Sequence, residues 1–261
     1  FCEMVALWII SFWENLKKPK KFYFVELGPG NGDFCLILLK TLKKFPELYN
    51  SINIMLYEKS EKLKKIQKKK LRSKKISWIK NFNNIKNGPV VFFGNEFLDA
   101  LPIKQFKKIN NLVFEKYAVL KKNKINFTFK KAIKKQIKKL EYYKLLQNKG
   151  IIEYPEYGFK ELDAICVKIK ELNGGALFID YGYNESKNIS TLQSVMNHKF
   201  NKFTKNIGEA DITSLVNFEL YKEYFFHKGL IVENVISQSK FLQKLGIVQR
   251  FKIASNNMSE K

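Results

Sequence analysis

Three glycines, Gly28, Gly30 and Gly32, follow almost directly on an acid, Glu26, in the stretch FYFVELGPGNGDFCLILLKTL from Phe22 to Leu42. A glycine turn between an apolar run and a helix lets a ligand come close to the backbone and aims helix N–H groups at it. The spacing is G-x-G-x-G. A dinucleotide turn would need a further glycine at position 33, where Asp33 stands, and a nucleoside triphosphate loop would end in G-K-[ST], which is absent. The ligand expected here therefore carries a nucleoside but no pyrophosphate.

S-adenosylmethionine fits that description, with its methionine end resting on the turn and its ribose needing an acceptor on the next strand. Glu58 closes that strand and can accept from both ribose hydroxyls; the competing reading is an exposed strand end beside Lys59. Glu26 can meet the ligand's amino group, directly or through water. A second set of acids lies in GNEFLDALP, where Asn95, Glu96 and Asp99 follow another apolar strand. Carboxylates at such a position suit a cationic acceptor, because a guanidinium takes bidentate hydrogen bonds from carboxylate. The competing reading makes Asn95 or Asp99 a helix cap. Asp180, in ALFIDYG, also lies at a strand's carboxyl end; the competing reading makes it a cap for the turn that follows.

These residues require strands that end where they stand. Phe22–Leu27, Asn53–Tyr57, Ile76–Ile79 and Pro89–Phe93 are short apolar runs separated by helical patterns, which predicts an α/β fold with a doubly wound, mostly parallel sheet. Phe1–Leu16 reads as a helix buried over a wide face. Ser60 caps a lysine-rich helix through Leu71, with Leu63 and Ile66 expected inward. Leu112–Leu120 and Lys124–Phe129 alternate around KKNK as a hairpin, and Lys130–Leu146 reads as a basic helix, so residues 112–150 form an insertion after the fourth strand. Phe159–Leu172 and Thr213–Lys228 are predicted helices, and Leu230–Ser237 a late strand. No linker or repeat divides the chain, which reads as a single domain over residues 1–261.

The chain holds 48 basic and 24 acidic residues, yet only Arg72 and Arg250 are arginines. Lysine, isoleucine, asparagine and phenylalanine are abundant together, a compositional bias that accounts for the charge as solvated faces without a specific nucleic-acid site. Cys2, Cys35 and Cys166 are too few and too scattered for a disulfide framework or a zinc site, and suit a reducing compartment. His198 and His227, the only histidines, exclude a histidine-rich metal centre, and no metal is expected. No apolar run is long enough to span a membrane. The [ND]PP[YF] motif of nucleic-acid amino-methyltransferases is missing, as is a Pro-Cys pair for pyrimidine attack.

In order, VELGPGNG, NEFLDALPIKQF, FIDYG, ADITSLVNF and FLQKLGI resemble the MidA family of class I methyltransferases over nearly the whole chain. The resemblance implies a seven-stranded, Rossmann-like class I fold, S-adenosyl-L-methionine as methyl donor and a protein arginine as acceptor. Mitochondrial members of that family assist assembly of respiratory complex I, so a complex I subunit is the implied partner. The implied setting is bacterial cytoplasm, or the mitochondrial matrix in a eukaryote. It places the cofactor turn on Glu26, Gly28, Gly30 and Gly32, the ribose acceptor on Glu58, and the acidic motif on Asn95, Glu96, Asp99 and Pro102. The chain departs from the family at Asn31, where arginine is usual, and at Asp33, where threonine or a similar residue is usual. It also implies a chain lacking an N-terminal lid segment and a last C-terminal strand. A non-catalytic assembly factor that keeps the cofactor fold and an RNA methyltransferase are the alternatives, with a hydride-transferring oxidoreductase last.

Overall fold

The structure, a computed structural model, describes residues 1–259 apart from 123, 148, 149, 186–188 and 198, so His198 lies outside the described residues. The chain divides into two compact units, one of Phe1–Asn95, Val167–Ile179 and Glu233–Lys261, the other of Glu96–Cys166 and Asp180–Val232.

The first unit begins with α1 (Cys2–Asn15), β1 (Phe22–Leu27), α2 (Asp33–Leu42), α3 (Pro46–Ser51), β2 (Ile52–Tyr57), α4 (Glu61–Lys70), β3 (Ile76–Ile79) and β4 (Val90–Asn95). Its sheet is completed by β9 (Gly175–Ile179), and all of its pairings are parallel, in the order β3-β2-β1-β4-β9. The strand order reverses between β1 and β4, which is the switch point where such sheets bind ligands. Every residue of β1 is buried, as expected of a strand covered on both faces. Phe22, Phe24, Ile52, Ile54, Val91 and Phe93 alternate onto one face and pack with Val5, Ile9 and Trp13 of α1 and Leu38 and Leu42 of α2.

The second unit holds β5 (Lys104–Ile109), β6 (Leu112–Lys121), β7 (Lys124–Lys131), α5 (Lys134–Tyr142) and β8 (Ile151–Tyr154). They build an antiparallel sheet in the order β7-β6-β5-β8. The helix α6 (Glu156–Glu171) follows, its last residues belonging to the first unit. Next come β10 (Gly182–Tyr183), β11 (Gln193–Met196), β12 (Lys199–Asn201), β13 (Asp211–Thr213), β14 (Val216–Asn217) and α7 (Phe218–His227). The first unit resumes with α8 (Gln238–Lys244) and α9 (Ile247–Ser259).

Several expectations change. The predicted hairpin is β6 with β7, but β5 and β8 extend it to four strands, and the basic helix shrinks to α5 because β7 runs on to Lys131. The helix predicted from Thr213 starts only at Phe218, where the Asn217 side chain accepts from the Leu220 N–H. Leu230–Ser237 is not a strand: it joins no ladder, and Ile231 is 96% exposed. An apolar pattern makes a strand only where a neighbour takes up its N–H and C=O groups. Among the described residues the parallel sheet thus has five strands, not seven.

Candidate functional site

The backbone of β1 sets the turn at its carboxyl end. Leu27 lies level with Tyr57 of β2 on one side and with Gly94 of β4 on the other, so Glu58 and Asn95 flank Gly28. The Gly28 N–H donates to the Tyr57 carbonyl at 3.0 Å, and the Gly32 N–H to that of Pro29 at 2.8 Å. Gly28, Gly30 and Gly32 have φ of 63°, 52° and 78°, a left-handed run that only glycine makes without strain. A Cβ on Gly30 would meet nothing within 4 Å. The turn thus presents open space at its middle and leads at Gly32 into the N-terminus of α2.

Glu26 shares the face of Phe24 and is 4% exposed, with Oε2 buried and without a hydrogen-bond partner among the described residues. Burial pushes its carboxyl from 4.5 up to about 8. A buried carboxyl oxygen left orphaned below a glycine turn is an acceptor for a cationic ligand group, such as the amino group of a methionine moiety. Glu58 is buried, which removes the exposed strand-end reading. Its Oε1 accepts from the Ser60 N–H at 2.7 Å and its Oε2 from Gln67 Nε2 at 3.3 Å. Those two bonds fix the carboxylate while leaving lone pairs for a diol. Asp33 turns outward and pairs with Lys70 of α4.

Gln67, absent from the sequence reading, ties these parts together. Fully buried, it donates from Nε2 to the Gly30 carbonyl at 2.8 Å and to Glu58, while Oε1 accepts from Trp78 Nε1 at 2.8 Å. The helix α4 is rotated from expectation: Lys64 and Gln67 are buried, whereas Ile66 is 38% exposed and Leu63 half-buried. The alkyl stem of Lys64 lines the interior while its ammonium reaches Glu61 at 2.7 Å. Replacing Gln67 by leucine strands the Gly30 carbonyl and the Trp78 N–H, and should cost about 1–3 kcal/mol in denaturant unfolding. It should also weaken S-adenosylmethionine binding by about tenfold in calorimetry, the equivalent of about 1.4 kcal/mol.

In the second unit the acids form their own cluster. No helix follows Asn95; residues 98–101 make a turn in which Leu101 N–H donates to the Leu98 carbonyl, so the helix-cap reading of Asn95 and Asp99 fails. Glu96 is exposed and holds φ 51°, an uncommon conformation for a residue with a Cβ. Asp180 does more than cap its own turn. Its Oδ2 accepts from the N–H groups of Leu98 and Asp99 at 2.8 and 3.2 Å, and Oδ1 from Tyr181 at 2.8 Å. The Ser214 N–H reaches the Asp99 carbonyl at 3.1 Å. Burial, with the charges of Asp180, Glu96 and Asp211, pushes the Asp99 carboxyl from 3.8 up to about 7. Tyr221 is buried beside Asp180 and Asp99, and its hydroxyl is held firmly protonated by burial first and those charges second. The cluster has excess negative potential and a carboxyl poised to exchange a proton near neutrality. Among the described residues no group of acids, cysteines and histidines could hold a metal, and no helix is long and apolar enough to cross a membrane.

A family model described as "Putative S-adenosyl-L-methionine-dependent methyltransferase" matches residues 4–236. A Caenorhabditis elegans protein named protein arginine methyltransferase NDUFAF7 homolog, mitochondrial, is 30% identical over 97% of this chain and 64% of its own length. The Homo sapiens protein arginine methyltransferase NDUFAF7, mitochondrial, is 24% identical over 100% of this chain and 64% of its own. The chain thus spans under two thirds of the length of these curated relatives. A Burkholderia thailandensis crystal structure bound to S-adenosyl-homocysteine superposes with a TM-score of 0.81 at 20% identity, over 99% of this chain and 68% of that one.

Proposed function

Because the chain belongs to the S-adenosyl-L-methionine-dependent methyltransferase family whose model spans residues 4–236, we propose that it transfers a methyl group from S-adenosylmethionine to an arginine of a protein. The observation that carries the reading is the orphaned Glu26 Oε2 beneath a glycine turn at the switch point of a parallel sheet. The names of the arginine methyltransferase relatives support the acceptor.

In this reading Gly28, Gly30 and Gly32 carry the methionine end of the cofactor, Glu26 answers its amino group and Glu58 its ribose hydroxyls. Bound, the cofactor supplies an electrophilic methyl on a sulfonium. Asn95, Glu96 and Asp99 act on the acceptor. The Glu96 and Asp99 carboxylates orient the guanidinium by charge-assisted hydrogen bonds, and positioning supplies much of the rate. Methylation of a protonated guanidinium releases one proton for each methyl added, and the Asp99 carboxylate accepts it. Asp180 holds the Asp99 backbone in place. As part of the same proposal, residues 1–261 form one methyltransferase domain carrying residues 112–150 as an insertion, and the acceptor is a respiratory complex I subunit in mitochondria.

Two measurements test this. Calorimetry should give micromolar binding of S-adenosylmethionine; no heat and no thermal protection would remove the first half. Tritiated methyl from the cofactor, added with the full-length protein to a cell extract, should enter protein-bound methylarginine. Label that survives nuclease and not protease supports a protein acceptor. Label lost to nuclease would make the enzyme an RNA methyltransferase, and no label despite cofactor binding would make it an assembly factor.

A further inference from the structure

The second unit contains an open pocket of about 700 Å³ that plays no part in the proposed methyl transfer. Its floor is aromatic. Phe159 of α6 stacks on Tyr224 of α7 at 4.0 Å and meets Tyr154 and Tyr143 at 5.5 and 5.8 Å. Tyr142 is 57% exposed above them, against the ring of His227 at 4.6 Å. Its rim is basic: Lys134, Lys135, Lys138 and Lys139 of α5, Lys160 of α6 and Lys228 after α7 all line it. Two carboxylates are also present, and both are already answered. Glu156 pairs with Lys139 at 2.6 Å and with Lys104 at 2.9 Å, and Asp163 pairs with Lys228 at 2.6 Å. Lys134, Lys135, Lys138 and Lys160 make no ion pair among the described residues, so the rim keeps an uncompensated positive charge.

We propose that this pocket docks an acidic, aromatic-bearing segment of the methyl acceptor protein, a few residues from the arginine to be modified. This rests on the protein-arginine reading above. Lys134 and Lys138 stand one turn apart, about 6 Å along the helix, close to the roughly 6.6 Å between alternate residues of an extended chain, so successive same-side carboxylates of a bound strand meet successive lysines. An aromatic side chain between them reaches the ring floor, where edge-to-face contact adds to burial. The second unit also argues against a polyanion. Tyr221, on the same helix as Tyr224 and against the same Phe159 ring at 5.3 Å, lies beside Asp99 and Asp180. A phosphate chain drawn to the lysines would meet that negative cluster. A polypeptide bearing both acids and an arginine satisfies each charge in turn.

The test uses two fluorescein-labelled 15-residue peptides carrying the same central arginine, one with a flanking Asp-Glu-Phe-Asp stretch and one with Asn-Gln-Phe-Asn, and reads anisotropy. The wild-type chain should bind the acidic peptide at least about tenfold more tightly at low salt, with the preference shrinking as salt rises. In a Lys134→Glu/Lys138→Glu variant the preference should fall to within about twofold, and Tyr142→Ala should weaken both peptides together. Unchanged heat of S-adenosylmethionine binding certifies that the variants are folded. Equal affinity of wild type for the two peptides would overturn the proposal. So would displacement of the acidic peptide by a uridine 15-mer that binds more tightly through the same lysines. Since anisotropy needs no methyl transfer, failure of arginine methylation with acidic-peptide binding intact sinks the enzymatic reading alone.

Discussion

Glutamine in place of Glu26 should raise the unfolding midpoint of the ligand-free chain at pH 8.5 by about 3–8 °C, and leave it unchanged at pH 4. The sign follows from the direction of the shift. A carboxyl whose folded value rises from 4.5 to about 8 binds its proton more tightly in the folded chain, so stability falls as pH climbs through that window. Below it, acid and amide are both neutral and nearly isosteric. Above it, only the acid must be ionised in a site where Oε2 has no partner among the described residues. The same substitution acts oppositely on the ligand. A neutral amide cannot answer an ammonium, so affinity for S-adenosylmethionine should fall at least about tenfold, or about 1.4 kcal/mol. A midpoint shift of equal size at both pH values would show that Glu26 matters for packing and not for charge.

The second large effect concerns Asp99. With its carboxyl near 7, kcat/KM for a peptide acceptor should rise with pH to a plateau, with a midpoint close to 7. Burial raises this value first and the charges of Asp180, Glu96 and Asp211 add to it, with the protonated Tyr221 beside them. The proposed guanidinium acceptor carries a positive charge, so the corresponding limb in kcat should move to lower pH. Asp99→Asn should lose the limb and lower kcat/KM by about 100-fold or more, and Glu96→Gln should lower kcat by a similar factor with cofactor heat retained. A limb that persists in Asp99→Asn would assign the titration to another carboxyl.

Much of the first unit was legible because its signals are local. A run such as Phe22–Leu27, apolar but for Glu26 and followed by glycines and a helical repeat, reads as a buried strand entering a turn. The position of Glu58 was legible because the residue after a strand's end is fixed by the strand. What escaped depends on partners far along the chain. Asp180 bonds the Leu98 N–H 82 positions away, and no spacing rule reaches that distance. Gln67 sits in KLKKIQKKK, where apolar periodicity turns Leu63 and Ile66 inward; the three polar partners that hold Gln67 instead lie on Gly30, Glu58 and Trp78. Pro102, part of the acidic motif, is exposed and carries no interaction that explains a role. In the second unit β12 and β13 are three residues each, too short for alternation to announce them. Leu230–Ser237 had the apolar residues of a strand, yet joins no ladder among the described residues.

Gln67 also bears on how this site can change. One amide touches both the glycine turn, through the Gly30 carbonyl, and the proposed ribose acceptor, Glu58. Residues joined through a shared partner do not contribute independent increments of free energy. Substitutions in the turn and at the end of β2 are therefore epistatic: a change tolerated at one position alters what is tolerated at the other. Cofactor preference in this protein should drift by paired replacements that keep the amide satisfied, with position 67 as the last to move.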